Sequence, residues 1–157
     1  MNTVVALTVG QKFPEFSLLD QDGNTVGPAD LAGAPAIIYF YPKDDTSGCT
    51  AEACDFRDSL PRFQGARVIG VSPDSVRSHK KFAEKYALPF TLLADPEHAL
   101  LQAAGVWVEK SMYGRKYMGV ERTTVLVDAN GTVVRVWSKV KVPGHATEVQ
   151  EAVASLG

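Results

Sequence analysis

Apolar positions along this chain form two kinds of run. "PAIIYFYP", residues 35–42, is continuously apolar and aromatic and is closed by Pro42, the pattern of a strand buried on both faces. "ARVIGVS" (66–72) and "FTLLAD" (90–95) repeat that pattern. Between these runs the apolar residues recur at helical spacing. Ala53, Phe56, Leu60 and Phe63 predict a helix that starts near Ser47 or Gly48 and is ended or kinked by Pro61. "SPDSVRSHKKFAEKY" predicts a second helix, with Ser72 as N-cap and Pro73 at the first helical position, and "PEHALLQAAG" a third, stopped by Gly105. "FSLLDQDGNTV" reads as a hairpin around Asp22-Gly23, and "TTVLVD" with "TVVRVWS" as another around Ala129-Asn130-Gly131. Residues 106–121 show no clear period and read as a long functional loop. "HATEVQEAVASLG" closes the chain as an amphipathic helix.

The order is hairpin, β-α-β-α-β-α, hairpin, α. It predicts one α/β domain over residues 1–157, with a mixed central sheet flanked by helices and an N-terminal β-hairpin. In such sheets ligands bind at the carboxyl ends of the strands. The helix after residues 35–42 begins there.

Composition narrows the partners. A chain of 157 residues, 45% hydrophobic and 22% charged, has the size and make-up of one globular domain. A net charge of −2 argues against nucleic acid, which favours a basic face. No apolar run approaches the ~20 residues that span a bilayer, so no membrane partner is expected. The start, "MNTVVALTVGQKF", has no basic leader, and a cytoplasmic location is expected. Thiols stay reduced there, and paired cysteines are more often catalytic or redox-sensing than structural.

The two cysteines, Cys49 and Cys54, lie five positions apart in "YPKDDTSGCTAEACDFRD". Zinc ribbons and thioredoxin-type redox motifs place two residues between their cysteines, not four, and two cysteines alone make a poor zinc site. Cys49 falls in the first turn of a predicted helix, where the dipole and unpaired N–H groups favour a thiolate. A free thiol is only about 3% ionised at neutral pH, so full ionisation gains roughly 30-fold in rate. Large catalysis therefore needs donors as well. Thr46 brings a hydroxyl one turn earlier, Gly48 lets backbone approach, and Pro42 offers an apolar wall. Arg122, just before "TTVLVD", brings a charge that never titrates. A nucleophilic sulfur facing donors for oxygen suits attack on a peroxide. The product is a sulfenic acid, which condenses with a nearby thiol, and Cys54 is the nearby thiol.

Plainer roles compete at each position. Cysteines are often small buried hydrophobes, and Cys54 lies near the apolar stripe of its helix. Thr46 serves equally as an N-cap, Pro42 as a strand stop, and Arg122 as the partner of Glu121 or another acid. His79 shares a face with Val76, Ala83 and Tyr86 and reads as a satisfied, partly buried histidine; His98 and His145 stand alone near helix starts. Asp44 and Asp45 read as turn and cap residues. Trp107, Met112, Tyr113 and Tyr117, interleaved with Lys110, Arg115 and Lys116, read as a pocket rim.

Pro42, Thr46 and Cys49 fit the peroxiredoxin pattern of proline, three residues, threonine, two residues, cysteine. "YPKDDTSGCTAEACDFRD", "VSPDSVRSHKKFAEKYALPFTLLAD" and "EKSMYGRKYMGVERTTVLVD" resemble the Q-type peroxiredoxins, the bacterioferritin comigratory proteins, from about Phe13 to the C-terminus. The resemblance implies a thioredoxin-like fold and a thiol peroxidase without metal or organic cofactor, acting on hydrogen peroxide and organic hydroperoxides. It makes Cys49 the peroxidatic cysteine, with Pro42, Thr46 and Arg122 completing the site. It makes Cys54 the resolving cysteine and thioredoxin the reductant. Ser47 stands where many members carry a second proline, which loosens that turn. Both thiols lie in one chain, so a monomer suffices. Two rivals remain: a disulfide oxidoreductase, which the spacing disfavours, and a peroxide sensor or redox-switched holdase.

Overall fold

Residues 36–40 form an inner strand of the sheet and carry no exposed side chain. In the computed structural model, which describes residues 7–156, the strands are β1 (Leu18–Leu19), β2 (Thr25–Val26), β3 (Ala36–Phe40), β4 (Arg67–Ser72), β5 (Thr91–Ala94), β6 (Trp107–Met112), β7 (Arg115–Val120), β8 (Thr123–Val127) and β9 (Val133–Trp137). The α-helices are α1 (Ser47–Ser59), α2 (Val76–Lys85), α3 (Ala99–Ala103) and α4 (His145–Ala154). Seven strands form one sheet in the order β2-β1-β5-β4-β3-β8-β9. β3, β4 and β5 are parallel, while β8, β9 and the β1–β2 hairpin run antiparallel, which makes the sheet mixed as expected. The reading of the first residues as lacking a leader falls mostly outside the described residues.

Alternation along β3 sorts the core into two layers. Ile37 and Tyr39, with Tyr41 beyond the strand, pack with Cys49, Ala53 and Phe56 of α1, Phe82 of α2 and Val149 of α4. Ala36, Ile38 and Phe40 face the other way, onto Leu100 and Leu101 of α3. The sulfur thus lies inside a packed layer, between the sheet and α1.

The register fixes where the site lies. Phe40, the last residue of β3, pairs with Thr123, the first of β8. Arg122 therefore leaves the sheet beside the segment that runs from β3 into α1.

Three expectations are corrected. Ser72 does not cap α2. It ends β4, and its hydroxyl donates to Asp74 Oδ2 at 2.6 Å, while Ser75 caps the helix by accepting from Ser78 N at 3.1 Å. Pro73 lies in the connection, not at the first helical position. Residues 106–121 are not a loop but the β6–β7 hairpin, a separate two-stranded sheet with six cross-strand pairs. Its turn, Tyr113-Gly114, has positive φ at both residues (52° and 77°), as a tight hairpin requires. Most of the hairpin is exposed, so no alternation of buried and exposed positions marked it. The third helix is also shorter than expected, five residues, entered through a left-handed His98 (φ 64°) and capped by the buried carboxylate of Asp95.

Gly70, in β4, marks the tightest packing against β3. A Cβ there would come within 2.9 Å of Leu92 Cδ2 and of Tyr39 Cζ, both fully buried. Gly70→Ala is expected to destabilise the fold by about 1–3 kcal/mol, the usual cost of an overpacked core. Urea denaturation measures it; an unchanged midpoint would show that Tyr39 yields freely.

Candidate active site

Pro42 closes the central strand and the chain turns through Asp45, which has φ 57°, before entering α1. Thr46 is the N-cap residue of α1, in extended conformation, but its hydroxyl does not cap the helix. It turns back and donates to the Lys43 carbonyl at 2.8 Å. The first-turn N–H groups of α1 therefore have no side-chain cap and stay available to an incoming oxygen. Cys49 follows in that first turn, 1% exposed.

Arg122 reaches the sulfur across the sheet end. Its Nη2 donates to Cys49 Sγ at 3.3 Å, and its Nη1 donates to Glu52 Oε1 at 2.6 Å. One guanidinium thus bridges a thiol and a carboxylate that lie three residues apart on one helix face. Gly48 makes room for it: a Cβ at that position would come within 3.3 Å of Arg122 Nη2. Of the acids open to Arg122, Glu121 or another, it pairs with Glu52, and the pair is buried rather than on the surface.

Glu52 was not singled out in the sequence. The available signal was its position, three residues after Cys49 on the stripe that includes Ala53 and Phe56, where an acid is out of keeping. Its side chain is 2% exposed, and burial pushes its carboxyl up to about 7 against the pull of Arg122. Its second oxygen, Oε2, has no partner among the described residues, and neither has the buried Tyr39 Oη. Burial, with Glu52 and Cys49 next in weight, pushes the Tyr39 phenol well above its usual value, so it stays neutral beside the site.

The structure brings Cys49 and Arg122 together and sets Pro42 and Thr46 at the entrance to the same helix. Cys54 lies on the same helix as Cys49 but apart from it, part-buried, and both thiols are free. Across five residues of regular helix the Cα atoms are ~8.6 Å apart, beyond the ~7 Å a disulfide tolerates.

The remaining histidines have structural places. His145 meets Thr124 Oγ1 at 2.8 Å and packs edge-on against Phe56 and Trp137. Asp44, Asp74 and His79 bring three possible ligand atoms within 4.8 Å of one another. Each is already engaged: His79 Nδ1 lies 2.7 Å from Asp44 Oδ2, and Asp74 Oδ2 accepts from Asp44 N. The cluster is a hydrogen-bond network. Asp44 and Asp45 are thus not plain turn residues, since both are bonded to α2 or its end.

A cysteine at a helix start, facing a guanidinium at the carboxyl end of a mixed sheet, defines a cysteine-based redox enzyme. The AhpC/TSA family model matches residues 9–136. Peroxiredoxin Bcp of Bacillus subtilis is 47% identical over 97% of this chain and 98% of that protein. Peroxiredoxin Bcp of Escherichia coli is 42% identical over 88% and 90%. Among solved structures, peroxiredoxin Q of Xanthomonas campestris superposes with a TM-score of 0.88 at 42% identity, covering 99% of this chain and 100% of that one. The chain belongs to the AhpC/TSA family and, within it, to the Bcp or Q-type peroxiredoxins, thiol peroxidases with a thioredoxin-like fold.

The Glu52 carboxyl ties stability to pH. Folded, it keeps its proton up to about 7; unfolded, it releases it near 4.5. The folded state binds the extra proton between those values, so this group's contribution falls as pH rises through that window, by at most about 1.4 kcal/mol per unit. Glu52→Gln is expected to flatten the dependence of the urea midpoint between those pH values relative to the native protein. Parallel pH profiles for the two would mean that Glu52 is ionised throughout.

Proposed function

We propose that this peroxiredoxin reduces hydrogen peroxide and small organic hydroperoxides through Cys49, and that Cys54 resolves the product. The observation that carries this reading is the 3.3 Å contact from Arg122 Nη2 to Cys49 Sγ, a fixed cation on the nucleophile. The thiolate attacks one peroxide oxygen, the O–O bond breaks, and the leaving oxygen departs as water or an alcohol after taking a proton. Arg122 and the uncapped N–H groups of α1 hold the oxygens as charge moves onto them, while the Thr46 oxygen, whose hydrogen is given to the Lys43 carbonyl, accepts from the peroxide O–H. Pro42 walls the site with a residue that has no N–H to compete. The sulfenic acid is then attacked by the Cys54 thiolate, water leaves, and a Cys49–Cys54 disulfide remains. A dithiol protein of the thioredoxin type restores both thiols.

Burial supports the division of labour. At 1% exposure Cys49 is out of reach of a protein thiol. The reductant's access and the ~8.6 Å separation both require α1 to unwind at its start, and helix ends open at a small fraction of the global free energy. The cycle needs one chain, which favours a monomer in a reducing, cytoplasmic compartment. No helix among the described residues is long and apolar enough to cross a membrane. Organic substrates are supported by the solved bacterioferritin comigratory protein of Xanthomonas campestris, whose structures are described by alkyl peroxide reduction activity and which matches this chain at a TM-score of 0.86 and 42% identity.

Cys49→Ser is expected to abolish peroxide-dependent NADPH oxidation through thioredoxin and its reductase while the fold persists. Appreciable turnover by that variant would remove Cys49 from the mechanism. A sensor, by contrast, would consume about one equivalent of peroxide and stop even in the native protein.

Arg122→Lys keeps the charge but loses the planar fork between Cys49 and Glu52. Oxidation of the reduced variant by peroxide is expected to slow by more than the ~30-fold that ionisation alone supplies. Stopped-flow rates equal to those of the native protein would leave Arg122 with a packing role.

Peroxide-treated protein is expected to carry an intramolecular Cys49–Cys54 bond, run as a monomer on a non-reducing gel, and lose amide-exchange protection over residues 50–56. Cys54→Ser completes one turnover and then waits for an external thiol. Purely intermolecular disulfides by mass spectrometry, or unchanged exchange with the bond formed, would overturn the resolving step.

A further inference from the structure

His79 of α2 is fully buried and belongs to no part of the sulfur site. Its Nε2 lies 2.9 Å from the Leu93 carbonyl of β5, which only accepts, so Nε2 carries a hydrogen. Its Nδ1 lies 2.7 Å from Asp44 Oδ2. Asp44 also accepts from Tyr41 Oη at 2.6 Å and from Ser78 Oγ at 2.7 Å. The His79 ring and the Asp44 carboxyl are locked together between α2 and the segment that follows β3.

That segment is held at two consecutive residues. Inside, Asp44 binds His79, Ser78 and Tyr41, and its backbone N donates to Asp74 Oδ2 at 2.8 Å. Outside, Asp45 accepts from Lys85 Nζ and from Tyr86 Oη, each at 2.8 Å. Between Tyr41 and Asp44, both bound into the buried cluster, lies Lys43, whose carbonyl accepts the Thr46 hydroxyl. The direction of that hydroxyl is therefore set by where the cluster holds Lys43.

We propose that the Asp44–His79 pair is a positioning device for Thr46, fixing its hydroxyl for the peroxide while touching neither substrate nor sulfur. The proposal rests on the reading of Thr46 as a peroxide-binding residue. A buried polar pair seldom stabilises a fold more than apolar residues of the same volume, and its better-attested use is to specify one geometry. A hydroxyl that must meet a reacting oxygen has such a geometry: a displacement of about 1 Å costs up to ~100-fold in rate.

A double-mutant cycle tests this. Peroxide oxidation of the reduced protein is followed by stopped flow in the native chain, His79→Gln, Thr46→Val and the double variant, with thiolate ultraviolet absorbance recorded for each. Thr46→Val alone is expected to be slow; if it reacts at the native rate, the reading of Thr46 fails and the proposal falls with it. His79→Gln is expected to slow the native background by roughly tenfold or more, leave thiolate absorbance unchanged, and change the Thr46→Val background by less than about twofold. Equal slowing in both backgrounds, lost thiolate absorbance, or no slowing in the native background while Thr46→Val is slow, would overturn it. Should His79→Gln not fold, Ser78→Ala, which removes one bond to Asp44 from a part-buried hydroxyl, gives the same comparison with a smaller expected effect.

Discussion

A guanidinium stays charged at every working pH, so wherever Arg122 is buried the surroundings must supply acceptors for its N–H groups. They do so from one helix face. Glu52 lies at 2.6 Å and the Cys49 sulfur at 3.3 Å, and that double contact constrains much around it. α1 must present both residues toward β8, which sets its rotation. β8 must begin opposite Phe40, which sets the register. A Cβ at Gly48 would lie 3.3 Å from Nη2 and press on the guanidinium. A shift in any of these separates the cation from one of its partners.

The proposed cycle then asks the same helix to break. The contacts of α1 differ along its length in a way that suits a partial opening. Beyond Cys54, Arg57 Nη1 donates to the Tyr86 carbonyl at 2.6 Å, and Phe56 packs against Tyr39 with ring centroids 4.8 Å apart. The start of the helix has an uncapped first turn and exposed Thr46 and Ser47. On the proposed cycle the turn that lacks caps both binds oxygen and lets go. On the far side, α2 fastens the entrance segment through Asp44 and Asp45, so opening of α1 need not move Thr46's anchor.

Much of the fold was legible because it depends on local pattern. The buried runs at 35–42, 66–72 and 90–95 are strands, the two hairpins form where their turn residues lie, and α1 begins at Ser47. What was misread lacked such a pattern. The β6–β7 hairpin is solvated on most positions, so pairing, not burial, makes it a strand pair. Ser72 and Ser75 are equally good caps in sequence, and the choice fell to where β4 ends and Asp74 claims the Ser72 hydroxyl.

The sequence by itself determined that a cysteine stands at the start of a helix after a buried strand, because apolar periodicity and a closing proline are properties of consecutive residues. It also contained the Pro42, Thr46, Cys49 pattern. Only the tertiary structure decided which acid meets Arg122 and that His79 grips Asp44. Those contacts join residues 70 and 35 positions apart, and their partners were chosen by sheet register and helix packing rather than by anything encoded within a turn of chain.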